Sequence, residues 1–490
     1  MFSFDGITKD YIVAIEKQES HFGENRNLDL IDVAGRRGAV LGSIKTDAKE
    51  FTITFVIKGS SRQNLRKIAD DMIAWLTTDT TRKLVLPEDP DRYYDAILAA
   101  PLDKEDIMRY ARVTATFISP DGLGYSNTTF KNTAISDAVS VVNEGTAPTD
   151  FTLEATAYKN STMFMVSKGE DDYFMLGRPT DAFKDEADTT PAVWRPRGNN
   201  IQTFTRVTDG TWIGDRNLTG QYANGTLSSS GSASFSGNYG EQDFTSNGWY
   251  GPVYRKSLDN LVGDFHTRSG FTLHQTNGYG VGKAFVHLYD EGGNKVLSYG
   301  LIDATNRGSN VRAVVRLYDE NGGYEEIYNS TGYRYNNVYA DRYIWISVDR
   351  VGNKWQMKTW HNYTENGIKK VTARADIMYT DGEGLFDRKI AFAEIALGKH
   401  ARYPEAQTRL SWAIIEDKLE LENVVPHLIK EGDTIIIDTK QSLVLLNDEP
   451  VTEHKDFGSN YFTIGSGLEN LLIEPQGRFD TTVKWNDVYL

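Results

Sequence analysis

Apolar and polar side chains alternate along most of the chain in the pattern of strands, with one clear interruption. In FTITFVI, residues 51–57, Phe51, Ile53, Phe55 and Ile57 alternate with Thr52, Thr54 and Val56, which predicts a strand with one strongly apolar face. Just downstream the period changes: Leu65, Ile68, Ala69, Met72, Ile73 and Leu76 recur at three- and four-residue spacing, the stripe of an amphipathic helix. Ser60 followed by Gln63 fits a capping box at its start, and the threonine-rich residues 77–81 end it. LVLPEDPDRYYDAILAAPL, from Leu84, reads as a strand, a proline-broken turn and a strand, and ARVTATFIS, from Ala111, as another strand. One helix packed on strands therefore organises a first domain, residues 1–140.

Strand alternation resumes at Phe151 in FTLEATAY, after a passage rich in Gly, Ser, Asn and Thr. Residues 177–198 and 398–409 show no sustained period and read as linkers. Between them, short strands separated by Gly- and Asn-rich turns carry the signature of a sandwich or jelly roll. The tail from Trp412 is again β, in TIIID, SLVLL, NYFTI and TVKW, with turns at Gly432-Asp433 and Asn447-Asp448. It is short for a sandwich of its own, and the strands at residues 151–158 and 163–166 complete it. The predicted fold is mainly β: a domain over 1–140, a discontinuous β-sandwich from 141–185 and 401–490, and a jelly-roll-like module inserted over 186–400. Insertion at an exposed loop costs little closure entropy when the insert's ends lie close together.

Composition narrows the function. A length of 490 residues suits several cores, and 12% aromatic content favours strands and contact surfaces. The absence of cysteine excludes disulfides, thiolate metal sites and cysteine nucleophiles. A net charge of −15 opposes accumulation on phosphate backbones, so no sequence-specific nucleic-acid partner is expected. No apolar run approaches the about 20 residues that cross a bilayer, so no membrane insertion is expected. The polar opening lacks a secretory pattern, and synthesis in a cytoplasm follows.

Catalytic patterns fare poorly. The eight His lack metal-ligand spacing such as HExxH, and neither a phosphate-cradling GxxxxGK nor a GxSxG elbow occurs. Glu394, in FAEIALG, is a lone acid where glycosidases need a pair. Asp290 and Asp319, in YDEGG and YDENGG, suit calcium or simply a turn. Neither catalytic residue, metal nor cofactor is expected.

Recognition has better candidates. Saccharides need flat aromatic faces and short polar groups, and residues 186–400 hold six of the nine Trp: Trp194, Trp212, Trp249, Trp345, Trp355 and Trp360. In YIWISVDR, from Tyr343, the set Ile344, Ile346 and Val348 must face a core, which puts Trp345 on the other face. A two-residue turn at Gly352-Asn353 then pairs Val351 with Lys354, Val348 with Met357 and Trp345 with Trp360. Two arrangements satisfy this pairing. One is a glycan platform of Trp345 and Trp360 aided by Tyr343 and Asn362; the other is a cross-strand aromatic pair covered by a loop or a neighbouring domain. Tyr333, Tyr335 and Trp249 are secondary candidates.

Several local features converge on one family. A Phe-x-Phe-x-Gly opening (Phe2, Phe4, Gly6), a Gly-Arg-x-Gly loop (Gly35, Arg36, Gly38), a helix ending in Trp75-Leu76, Asp89-Pro90 before Tyr93-Tyr94, and a strand closing with Phe117, Pro120 and Tyr125 together resemble the distal tail proteins of siphophages, the Dit family. GDTIIID, LLND, GSNYFTI and the closing VKWNDVYL resemble that family's galectin-like second domain. The resemblance implies a hexameric ring at the virion tail tip, joining the tail tube protein to the tip or baseplate hub protein, with the DNA passage through its centre. The insert is similar in layout to the carbohydrate-binding modules of enlarged family members, which implies host cell-wall polysaccharide as a partner. A tail-associated glycan hydrolase and a bacterial surface adhesin are the competing classes. For the ring contact, VAGRRGAVLG offers Val33, Gly35, Arg36, Arg37, Gly38 and Val40, a mobile surface loop being the other reading.

Overall fold

The computed structural model describes residues 1–20, 26–107, 109–169, 171–181, 183–207, 221–223, 225–230, 233–239, 248–274, 280–306, 308–332, 338–365 and 368–490. The chain divides into two compact units, Met1–Thr180 with Leu428–Leu490, and Asp181–His427.

The first unit begins as the alternation predicts. Lys49–Lys58 pairs with Tyr110–Ser119 on one side and Ile12–Ser20 on the other, and Phe51, Ile53, Phe55 and Ile57 are buried. The helix Arg62–Leu76, the only α-helix among the described residues, lays Leu65, Met72 and Leu76 on this core. Its cap differs by one position from the expected Ser60: the Ser61 hydroxyl accepts the Asn64 amide hydrogen at 3.1 Å, while Asn64 Oδ1 accepts from the Ser60 amide. Ser61→Ala is expected to cost about 1 kcal/mol in thermal or denaturant unfolding of this unit, whereas Gln63→Ala should change little. The opening Phe2 and Phe4 are fully buried beside Trp75, whose indole N–H donates to the Phe4 carbonyl at 3.1 Å.

Two further sheets make a sandwich within this unit. One orders Phe130–Thr133, Phe479–Trp485, Phe151–Ala157, Thr434–Asp438, Leu443–Leu446 and Glu449–Pro450; the other orders Ala138–Asn143, Gly467–Glu474, Met163–Ser167 and Tyr173–Gly177. Phe151, Leu153, Phe164, Val166, Ile435, Ile437 and Val483 fill the space between them. Asn447 and Asp448 adopt positive φ in the predicted turn. NYFTI is not a strand: Phe462 and Ile464 reach the core from irregular chain, with a single bridge from Ile464 to Thr149. The terminal strand Val488–Tyr489 pairs with Gly124–Ser126, so chain that follows the insert is hydrogen-bonded to chain that precedes it.

The second unit is a two-sheet sandwich. Sheet A orders Thr226–Ser230, Ser234–Asn238, Gln407–Asp417, Phe265–His274, Tyr343–Val351, Lys354–Glu365 and Ile368–Thr380. Sheet B orders Thr205–Arg206, Val253–Val262, Ile390–His400, Gly282–Tyr289, Lys295–Asp303, Arg312–Tyr318 and Tyr324–Ser330. Alternate residues of both sheets meet in one apolar core that includes Ile344, Ile346, Trp355, Met357, Val286, Tyr299 and Ile395. The Tyr299 hydroxyl, buried there, is within 2.7 Å of Thr267 Oγ1 and 2.8 Å of Ser269 Oγ, which satisfies a polar group that burial would otherwise penalise.

The insert is longer than expected at both ends. Residues 398–409, read as a linker, form the end of one strand, a turn and the start of Gln407–Asp417, which lies inside sheet A against Phe265–His274. Residues 401–427 therefore belong to the insert, and its first residue is Asp181 rather than 186. Its two ends run side by side, Asp185–Ala187 pairing in parallel with Val424–Pro426, the geometry a loop insertion needs.

Candidate recognition surfaces

The predicted register of the tryptophan hairpin is observed. Val351 pairs with Lys354, Val348 with Met357 and Trp345 with Trp360, around Gly352 at φ +58°. The two indoles stack with centroids 6.0 Å apart and planes 16° from parallel. An open platform is not what they make, however, because Trp345 is 7% exposed and Trp360 1%. The Arg268 guanidinium lies 5.1 Å from the Trp345 ring centre, and the half-buried Tyr343 packs edge-on against Trp345 at 5.1 Å. Gly270 makes room for that tyrosine, since a Cβ there would sit 1.9 Å from its hydroxyl. Asn362 is also half-buried. Period two identified the correct face but carries no signal for what covers it. Tyr333, Tyr335 and Trp212 lie outside the described residues. Trp249 is fully buried on the outer face of sheet B, so the fold does not bring it together with the Trp345–Trp360 pair on sheet A.

That outer face of sheet B is the polar concentration the sequence reading missed. Arg255, Glu394, His287, Ser298, Arg316 and Glu326 occupy directly paired positions on six successive strands. Each lies in a strand that carries other polar residues as well, and their alignment depends on strand order, which local pattern does not give. Glu394 is 1% exposed; its Oε2 accepts from Arg255 Nη2 at 2.7 Å and its Oε1 from the Tyr289 hydroxyl at 2.9 Å. Arg316 Nε donates to Glu326 at 2.8 Å. Beside this row, Trp249, Val253, Phe285, Ile302 and Val314 form a small apolar cluster, with the Lys283 ammonium 4.7 Å from the Trp249 ring centre.

A small recess opens on this face, walled by Lys283, His287, Ser298 and Arg316, with Phe285, Ile302 and Tyr318 completing it. His287 Nδ1 is 2.7 Å from Ser298 Oγ, while its buried Nε2 has no hydrogen-bond partner. Burial, then the positive charges of Lys295, Lys283, Arg255 and Arg316, push the His287 imidazole well below its usual value of 6.5. The unfolded chain gains a proton there as pH falls through about 6.5 and the folded insert does not, so this group's contribution is complete above that pH and declines below it. His287→Gln is expected to flatten the loss of insert melting temperature between about pH 7 and pH 5 relative to the parent chain, which thermal unfolding across pH measures.

The Val33–Val40 segment caps a hairpin of Arg26–Asp32 and Ala39–Thr46, which hydrogen-bond to each other and to no other strand among the described residues. Gly35 and Gly38 sit at φ +82° and +81° in its tip, a conformation only glycine adopts at little cost, and Arg36 and Arg37 are exposed. Val33 is exposed and Val40 half-buried. Leu28, Leu30, Ile31, Leu41 and Ile44, further along the strands, are each about half exposed. The glycines mark the loop in the sequence, but no sustained alternation in residues 26–32 and 39–46 marks the two strands it joins.

The chain is mainly β, with one α-helix among the described residues, an exposed apolar hairpin and a sandwich inserted in a second sandwich, and sequence comparison gives its class as a phage tail structural protein. Residues 12–119 match the phage tail protein RIFT-related domain, and residues 400–489 match the siphovirus-type tail component, C-terminal domain. The chain thus matches a siphophage tail-protein domain at each end, the two-domain organisation of the siphophage distal tail, or Dit, proteins. The second match begins at residue 400, yet strand pairing keeps residues 407–417 within the insert, and hydrogen bonding sets the boundary.

Among solved structures, the Dit protein of phage SPP1, described as a hub adsorption apparatus component of phages infecting Gram-positive hosts, is 18% identical, covering 36% of this chain and 74% of its own with a TM-score of 0.33. The CBM2 module of the evolved Dit of Lactobacillus casei BL23 phage J-1 is 14% identical, over 48% and 98%, with a TM-score of 0.39. SCLam, an endo-β-1,3(4)-glucanase of family GH16, is 9% identical, over 54% and 97%, with a TM-score of 0.30. No curated protein matches the chain.

Proposed function

We propose that the chain forms a hexameric ring at the distal end of a siphophage tail and that its insert binds host cell-wall polysaccharide during adsorption. The ring joins the tail tube protein to the tail-tip or baseplate hub protein and is assembled in the host cytoplasm. The observation that carries this reading is the position of the insert: a separately cored sandwich, Asp181–His427, interrupts a chain whose two ends match the family's two domains. The exposed hairpin supports the ring, because an isolated two-stranded ribbon is marginal in water and its exposed leucines and isoleucines gain stability only when covered.

The hydrolase reading is weaker on geometry. Glycosidase carboxyls stand about 5–10 Å apart, whereas Glu394 and Glu326 are four strand spacings apart, roughly 19 Å. Glu394 is moreover held in an ion pair with Arg255.

Replacing residues 181–427 by a short Gly-Ser loop tests the assignment of the two roles. The shortened chain is expected to keep its assembly state and lose sedimentation with purified host cell walls. Undiminished wall binding would overturn the role given to the insert.

A further inference from the structure

We propose that the recess on sheet B is a subsite for an anionic substituent, a carboxylate or phosphate group carried on the saccharide that the insert binds. This rests on the saccharide-binding reading above and adds the charge of the ligand.

The basic groups of Lys295, Lys283, Arg255 and Arg316 all bear on His287, and burial holds the Lys295 amine well below its ordinary value. The two carboxylates of the same row are already engaged, Glu394 by Arg255 and Tyr289, and Glu326 by Arg316. None of the residues that wall the recess is acidic. In a chain of net charge −15, a buried cluster with this excess of positive charge runs against the overall balance.

Two buried polar atoms of this cluster make no hydrogen bond: His287 Nε2, in the wall of the recess, and Lys295 Nζ, which lies outside that wall but 5.5 Å from the ring of Tyr318, a wall residue. Burying such groups unpaired is costly, and an anion in the recess would offset that cost. In the tautomer in which Nδ1 accepts the Ser298 hydroxyl proton, Nε2–H becomes a donor, and with the Lys283 ammonium and Arg316 guanidinium it makes a set of N–H groups suited to carboxylate or phosphate oxygens. The recess, about 10 Å³, has room for one water-sized group, so the substituent would enter it by an oxygen only, while the adjoining Trp249–Phe285 cluster supplies apolar surface beside it.

The test uses the full-length chain at low ionic strength in calorimetric titrations with three probes: a hexuronate oligosaccharide, an oligosaccharide bearing phosphodiester groups, and a neutral oligosaccharide of matched length. At least one anionic probe is expected to bind about tenfold or more tightly than the neutral one, the size of one charge-assisted hydrogen bond, and the better of the two identifies the group. Lys283→Met and His287→Gln should remove the preference. Lys295→Met guards against loss of folding: it exchanges a buried amine that makes no hydrogen bond for an apolar chain of similar length, so the melting temperature should hold or rise while the preference falls. Equal affinity for charged and neutral probes, or a preference that survives all three substitutions, would overturn the subsite and leave saccharide binding intact. Failure of every probe to bind would overturn both.

Discussion

Replacing Leu30 and Leu41 by Asp is expected to convert the proposed ring into folded monomers. The two residues oppose each other across the hairpin and are 58% and 50% exposed. Within a lone chain neither supports a core, so the change should alter the melting of the unit by no more than about 0.5 kcal/mol. In an assembly the same positions would be covered, and each Asp would put a charge into an apolar contact, repeated at every copy of a closed ring. Light scattering after size exclusion reads the mass, and thermal unfolding reads the fold. A ring that persists would place the contact elsewhere, and a monomer that unfolds would make the hairpin part of the unit's own stability.

The second large effect is Trp360→Ala, expected to destabilise the insert by about 3–5 kcal/mol. Trp360 is 1% exposed and stacked on Trp345, so removing the indole leaves a cavity and an unsupported partner ring. Any loss of wall binding should then follow the fraction unfolded: at a temperature where the variant remains folded, its affinity should equal that of the parent chain. An affinity reduced at full folding, with melting temperature unchanged, would restore the indole pair as a platform.

These two cases show what the sequence could and could not disclose. Register was legible because each constraint was local: Ile344, Ile346 and Val348 fix the face, and Gly352-Asn353 fixes the turn. Exposure was not, since Arg268 and Tyr343 meet Trp345 through strand pairing and a glycine at 270. The helix was found by its stripe, but the cap moved from Ser60 to Ser61 because two adjacent serines offer the same hydroxyl and only backbone geometry chooses. The end of the insert was misplaced by about two strands because RYPEAQTR, polar and proline-broken, is a turn between sheets B and A rather than an exit. The row from Arg255 to Glu326 draws on six strands whose spatial order departs from their order in the chain, and a pattern read along the chain does not assemble it.

The most direct test of the central claim is the mass and symmetry of the purified full-length chain, by native mass spectrometry with electron microscopy. The account predicts a species of six times the 55.1 kDa chain mass, seen as a closed six-fold ring with a lobe for each copy. A chain that stays monomeric across the micromolar range and shows no ring would contradict it.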